Sequence, residues 1–168
     1  MRTATLLIAA AVSLTLVACG GETSGTFEGE DGETGEYTIN TETGDASATI
    51  ETEDGTATVR SGSSVPVDLP AGFTIYPGAK VENNTVFSQG EGQGAFVTLI
   101  SDDSAEEITD FYRKQAEAAG VEIQVEANIN NGKTVGGESP DGLTFSINAS
   151  PMGDSTRAQL AIGNNFDN

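Results

Sequence analysis

The sequence predicts an α+β fold: a two-layer antiparallel sheet with one covering helix, in the order ββ-α-ββββ, preceded by an acidic arm with a short β-meander. Three observations predict it. One segment, residues 105–119, has the apolar period of a helix. Several segments around it alternate apolar and polar residues with the period of a half-buried strand. Before residue 65 the chain is acidic, repetitive and short of large apolar side chains.

Composition narrows the partners first. The 168 residues carry 26 acidic against 7 basic side chains, a formal net charge of -19. Nucleic acid binding needs clustered Lys and Arg, so it is excluded as a function class. The same balance opposes docking onto anionic lipid head groups. The chain contains no His and one Cys, so neither a disulfide framework nor a His-dependent triad can be built.

At the N-terminus, Met1-Arg-Thr-Ala-Thr precedes an apolar run from Leu6 to Ala18, then Cys19-Gly20. A basic residue, a short apolar core and a small residue before the cut make a secretory signal. The run is too short to span a bilayer comfortably. Leu16-Val17-Ala18-Cys19 resembles the lipobox of bacterial lipoproteins. That resemblance implies cleavage before Cys19 and diacylglycerol on its sulfur, with a further acyl chain on the new amine in many bacteria. The expected partner is therefore a membrane, reached through an N-terminal lipid anchor at Cys19 in the cell envelope. Gly20 in place of Asp would favour the outer membrane in a Gram-negative cell.

Four segments follow from these readings: a signal peptide at 1–18, a flexible acidic tether at 19–36, a short acidic β-repeat at 37–62, and an α+β domain at 66–168. In the tether Phe27 is the only large apolar residue up to Gly35, which suits a solvated spacer. In the repeat, Thr38-Ile-Asn-Thr-Glu-Thr-Gly44 recurs as Thr49-Ile-Glu-Thr-Glu-Asp-Gly55, with an echo in Thr56-Ala-Thr-Val-Arg60. Alternation places Tyr37, Ile39, Ala48, Ile50, Ala57 and Val59 on one face, with Thr38, Thr49, Thr58 and Arg60 opposite. Thr43-Gly44 and Asp54-Gly55 stand where hairpin turns are needed. The acids of Glu28-Gly-Glu-Asp-Gly-Glu-Thr-Gly-Glu36 invite a calcium reading, but no segment has the ligand spacing of an EF-hand loop or a Gly-rich nonapeptide. They are read as a self-repelling spacer, and neither a metal nor a cofactor is expected.

Residues 65–79 tie the arm to the domain. Pro66, Pro70 and Pro77 fix φ and hold their predecessors extended. Tyr76-Pro77-Gly78-Ala79 has Pro and Gly at the centre of a type II turn, where Gly takes positive φ. Strands are expected over 79–88 and 95–100, joined by the Gly-rich loop of residues 89–94. That loop lies between strands and carries Glu91 with no Lys nearby, so it is not a phosphate loop. Ser104-Ala-Glu-Glu107 is a capping box opening the helix. Ile108, Phe111, Tyr112, Gln115, Ala116 and Ala119 form its stripe, and Gly120 ends it.

Beyond the helix, Val121, Ile123, Val125 and Ala127 alternate with Glu122, Gln124 and Glu126. Asn131-Gly132 and Asp141-Gly142 mark turns, as does Met152-Gly153-Asp154. Leu143, Phe145, Ile147 and Ala149 alternate with polar residues, as do Ala158, Leu160 and Ile162. Each strand is expected to bury one face and wet the other.

Phe73-x-x-Tyr76-Pro77-Gly78-Ala79, a hairpin, Asp103-Ser104-x-Glu106-Glu107 and Phe111-Tyr112-Arg113 resemble an uncharacterised family of bacterial lipoproteins. In that family a "Tyr-Pro-Gly-Ala" segment precedes a hairpin, a helix carrying Phe-Tyr, and further strands. The resemblance covers residues 66–162, implies an envelope location, and supplies no functional residues.

No catalytic constellation emerges. Ser-Lys chemistry would need Lys80, Lys114 or Lys133, none of which follows a Ser-x-x spacing, and all three read as surface residues. Paired carboxylates for glycoside cleavage need a deep cleft, hard to build on a small two-layer fold. The expected function is a membrane-anchored, non-catalytic envelope lipoprotein. The alternative is a small-ligand or cation-binding module presented on the envelope, using the polar sheet face of Thr144, Ser146, Asn148, Arg157 and Gln159. A concave, partly apolar pocket would favour the module; a flat polar face would favour the first reading.

Overall fold

The computed structural model describes residues 17–18, 21–28, 33–52 and 55–164. Most of the signal segment, part of the acid-rich stretch and Asp54 of the second turn lie outside them. Among the described residues eleven strands form one antiparallel sheet: β1 (Val17–Ala18), β2 (Glu22–Glu28), β3 (Thr34–Asn40), β4 (Ala46–Thr52), β5 (Gly55–Gly62), β6 (Lys80–Gln89), β7 (Gly92–Ser101), β8 (Glu122–Ile129), β9 (Gly132–Glu138), β10 (Thr144–Met152) and β11 (Ser155–Asn164). Their order across the sheet is β1-β2-β3-β4-β5-β6-β7-β11-β10-β9-β8. Among the described residues one α-helix, α1 (Ala105–Ala118), connects β7 to β8, and one short 3-10 turn, Pro70–Gly72, lies between β5 and β6.

This corrects the expected two-layer ββ-α-ββββ domain with a separate arm. The molecule is mostly sheet, and the sheet runs unbroken from the acidic arm into the C-terminal half. The join is β5 to β6, paired from Ala57↔Gln89 to Gly62↔Asn84. Residues 65–79 look like a hinge in composition, yet they loop out and return so that β6 lies beside β5. The physical reason is the edge of β6. Its backbone N–H and C=O groups would otherwise stand unpaired, and β5 satisfies them. Glu22–Glu28, expected as tether, is a strand paired to β3 over seven residues.

Local chemistry explains the individual elements. Ser104 caps α1, its hydroxyl accepting from Glu107 N–H while the Glu107 carboxylate accepts from Ser104 N–H. Two helix-end bonds onto Ala116 O, from Ala119 and Val121 N–H, close the far end, and Gly120 takes φ 84°. At the lead-in, Ala79 N–H donates to Tyr76 O at 3.1 Å and Gly78 has φ 80°, the geometry a type II turn requires. The β8–β9 hairpin turns on Asn130 and Asn131, both at positive φ, one residue before the expected Asn131-Gly132. Asn tolerates that region, which suits a two-residue hairpin turn.

The core lies on one face of the β6–β11 half, here called the inner face. α1 packs on β8–β11, and residues 65–79 pack beside it. Ile108, Tyr112 and Ala116 of α1 meet Val97, Leu99, Val135, Ile147, Ala149, Ala158 and Leu160, all fully buried. Phe73 of the lead-in stacks on Phe145 with ring centroids 5.7 Å apart. Gln115 Oε1 accepts from Thr74 N–H at 2.8 Å, and Asn84 Nδ2 donates to Pro66 O at 2.9 Å. These bonds strap the lead-in to helix and sheet. Among the described residues, no helix or second sheet lies on either face of β2–β5.

One strand departs from strict alternation. The β8–β9 register shifts between Ile123 and Val125, a bulge that leaves an extra residue in β8. Val121 and Ile123 therefore face the core, whereas Val125 turns to the opposite face and is 53% exposed.

Candidate functional site

The bulge in β8 sets up a charge cluster between helix and sheet. It swings Glu126 toward α1, where Arg113 Nη2 forms an ion pair with it. Lys133 on β9 donates to Asp110 at 3.1 Å and lies 3.8 Å from Glu126. The hydrogen bond from Arg113 holds the Glu126 carboxyl below its ordinary range, and the same bond raises Arg113. The Glu126 contribution is thus present above the unfolded carboxyl value and lost as pH falls. Lys133, expected at the surface, is only 12% exposed in its side chain. Its two carboxylate neighbours occupy it as a structural cation between helix and sheet. Lys80 and Lys114 are exposed.

The polar residues singled out from sequence do share a face. Register pairs Thr144 with Gly163, Ser146 with Ala161, Asn148 with Gln159 and Ser150 with Arg157. All lie on the face opposite α1, here called the outer face. Asn148 Nδ2 donates to Thr134 Oγ1 at 2.7 Å, and Thr144 Oγ1 donates to Gly163 O at 3.1 Å. Arg157 sits 2.9 Å from Glu82 in an ion pair whose angle falls outside hydrogen-bond range. Asn148 and Arg157 are thus each paired within the protein, and Gln159 is the register neighbour of Asn148.

Thr144 and Ser146 border something different. With Phe87, Phe96, Ala161 and Gly163 they line an open hollow of about 260 Å3 on the outer face. Phe96 is 42% exposed, a large ring left in water at the rim. Gly163 of β11, the register partner of Gly94 in β7, carries no side chain and lies in the wall of the hollow. Phe87 lies flat over its cross-strand partner Gly94, where any Cβ would collide with the ring. Sequence reasoning found the hydroxyls but missed the aromatic wall. Its signal was the pairing of an aromatic strand residue with glycine, which depends on register.

Two further hollows differ in chemistry. One of about 600 Å3 lies on the arm, lined by Thr26, Thr34, Thr49, Glu28, Glu36 and Glu51 among others. Three carboxylates there face open water, and among the described residues no group of three His, Cys, Asp or Glu side chains is placed to hold a metal ion. The other, about 170 Å3, lies between β5 and the lead-in, with Arg60 and Asp68 in its wall. Between α1 and the sheet, Tyr112, Ile108, Leu99 and Leu160 fill the space at 0% exposure. Cys19, the expected lipidation site, lies outside the described residues.

Comparison with known proteins gives one finding within this region. A family profile described as START domain-like matches residues 81–159, from β6 through α1 into β11 and under half of the chain. The START-like fold is a helix-grip and typically a binding module. No curated protein and no solved structure matches the chain. The chain is thus similar over its C-terminal sheet and helix to a ligand-binding class of domain.

Proposed function

We propose that the protein is a non-catalytic ligand-binding module of the cell envelope, held to a membrane by a lipid on Cys19. The observation that carries the binding half is the partly apolar hollow on the outer face, walled by Phe87, Phe96 and Ala161 and edged by the Thr144 and Ser146 hydroxyls. Small-ligand sites have this composition: apolar walls with a few placed polar groups. A volume of about 260 Å3 suits a compact apolar molecule, or one apolar segment of a longer amphipathic one. The START-like match covers β6, β7 and β10, which carry Phe87, Phe96, Thr144 and Ser146, and stops two residues before Ala161; it supports the same reading. The anchored half rests on Leu16-Val-Ala-Cys19.

Titration with the neutral fluorophore Nile red tests the hollow. Saturable binding with a blue shift is expected, weakened about tenfold or more by Ala161→Phe, which fills the space; tenfold corresponds to about 1.4 kcal/mol. Binding indifferent to Ala161→Phe would move the site elsewhere, and no saturable binding would remove the reading. For the anchor, mass spectrometry of the mature protein is expected to find acyl chains on Cys19, and Cys19→Ser to release it from membranes. An unmodified chain beginning upstream of Cys19 would overturn that half.

A further inference from the structure

The outer face of the arm differs from its inner face in one respect above all: charge. Register places Phe27, Tyr37, Ile39, Ile50 and Val59 on the outer face, interleaved with Gly25, Gly35, Ala46, Ala48 and Ala57. None of the outer-face residues from Thr23 to Val59 on β2–β5 is an acid or a base. The inner face of the same strands carries Glu22, Glu28, Glu36, Glu51 and Arg60. In a chain of net charge -19, a charge-free face this wide is a specific feature of the sequence. Ile39 and Val59 are 41% and 38% exposed on it.

Its surface is also flat. Tyr37 lies across its partner Gly25 and Phe27 across Gly35, each ring occupying the space a Cβ would need. Rings laid over glycine give a level, close-packed platform in place of upright side chains. A sheet buries such a face against a second layer, and no layer covers it among the described residues.

We propose that the outer face of β2–β5 packs face to face on the same surface of a second copy of this chain. Sheet-on-sheet packing needs two flat apolar faces about 10 Å apart, and a two-fold arrangement supplies the identical face from the partner. In that arrangement both acidic faces point outward into water, where their repulsion is screened. Four strands at about 4.8 Å spacing, each about seven residues long at about 3.4 Å per residue, present on the order of 450 Å2 in projection. Accessible area exceeds projected area, so two such faces reach the ~1,000 Å2 in total that a specific interface needs. An anionic membrane is a poorer occupant, because the whole chain is repelled by it.

The test uses the full chain carrying Cys19→Ser, so that any introduced cysteine is the only one. Val59→Cys on the outer face is expected to be cross-linked into a pair by a short bismaleimide, whose reach of about 10 Å matches the sheet spacing; Thr58→Cys, its neighbour on the inner face, is not. In sedimentation equilibrium the Cys19→Ser chain is expected to dimerise at micromolar concentration. Val59→Glu should weaken this by 100-fold or more and Thr58→Glu by less than threefold, with matching circular dichroism for both. A monomer at 100 μM, or equal cross-linking from positions 58 and 59, would overturn the proposal. So would a monomer that instead floats with neutral phosphatidylcholine vesicles. Val59 does not line the hollow, so Nile red binding by the Val59→Glu chain is read separately, and failure of one proposal leaves the other standing.

Discussion

Tyr112→Ala is expected to cost about 3–5 kcal/mol of stability, the range for truncating a buried aromatic side chain. Tyr112 is the largest side chain at 0% exposure. It fills the space between α1 and the sheet and meets Phe111 edge to face at 5.2 Å. Its hydroxyl oxygen also accepts from Tyr76 N–H at 3.0 Å, fastening the turn of the lead-in to the helix. Tyr112→Phe separates the two roles. It keeps the ring and leaves the Tyr76 N–H without its acceptor, at about 1–3 kcal/mol. The pair of variants also differs in alkaline solution. Burial pushes the Tyr112 phenol up to about 12, above its unfolded value near 10. A group raised on folding contributes stability that is complete below the unfolded value and is lost as pH rises through the folded one. Urea unfolding between pH 9 and pH 12 is therefore expected to show a steeper loss for the parent chain than for Tyr112→Phe. Equal slopes would mean that the phenol is not held neutral by burial.

Gly137→Ala is expected to destabilise by about 2–4 kcal/mol, although the change adds a single methyl group. The bulge in β8 presses the Glu122 carbonyl onto Gly137. A Cβ at residue 137 would overlap the Glu122 carbonyl oxygen, with the Glu122 carbon at 2.9 Å and Ile123 Cα at 3.0 Å. All three atoms are backbone, so no rotamer change relieves them, and β8 must leave the sheet or lose its bulge. Gly136→Ala is the control. There the nearest atom is Phe145 O at 3.3 Å, which a few tenths of an ångström of movement accommodates, and a change under 1 kcal/mol is expected. Thermal melts of the two variants compare them, and amide exchange along Glu122–Ile129 reports whether β8 has detached. Equal melting temperatures would mean that the bulge is soft enough to yield.

How much of this was legible in the sequence follows the range of the forces involved. Capping at Ser104 and Glu107, the end of α1 at Gly120 and the turn at Gly78 depend on residues a few positions apart, and local spacing displayed them. The faces of Tyr37, Ala48 and Val59 were legible because alternation has only two outcomes. Pairing between distant strands leaves no such mark. Nothing in Ala57-Thr-Val-Arg60 announces Val86 to Gln89 as its neighbours, so arm and domain read as separate bodies. The bulge after Ile123 was equally silent, because Val125 and Ala127 continue the apolar rhythm while the backbone steps out of it. Of the candidate site, the hydroxyls of Thr144 and Ser146 were visible as a polar face. The hollow was not, since its wall brings Phe87, Phe96 and Gly163 together from three strands.

The order of the strands also has a consequence in time. From β2 to β7 every strand pairs with its immediate predecessor, so that half of the sheet can assemble by zipping successive neighbours. The join of β7 to β11 is different: Thr98 meets Gln159 only after α1 and three intervening strands have been placed. Closing a long loop carries its entropy cost before any contact repays it, and rates fall as such distant pairings dominate. The arrival of β11 is therefore expected to be the late event in reaching this structure, because the β7 edge that carries Val97 and Leu99 has no other partner on that side.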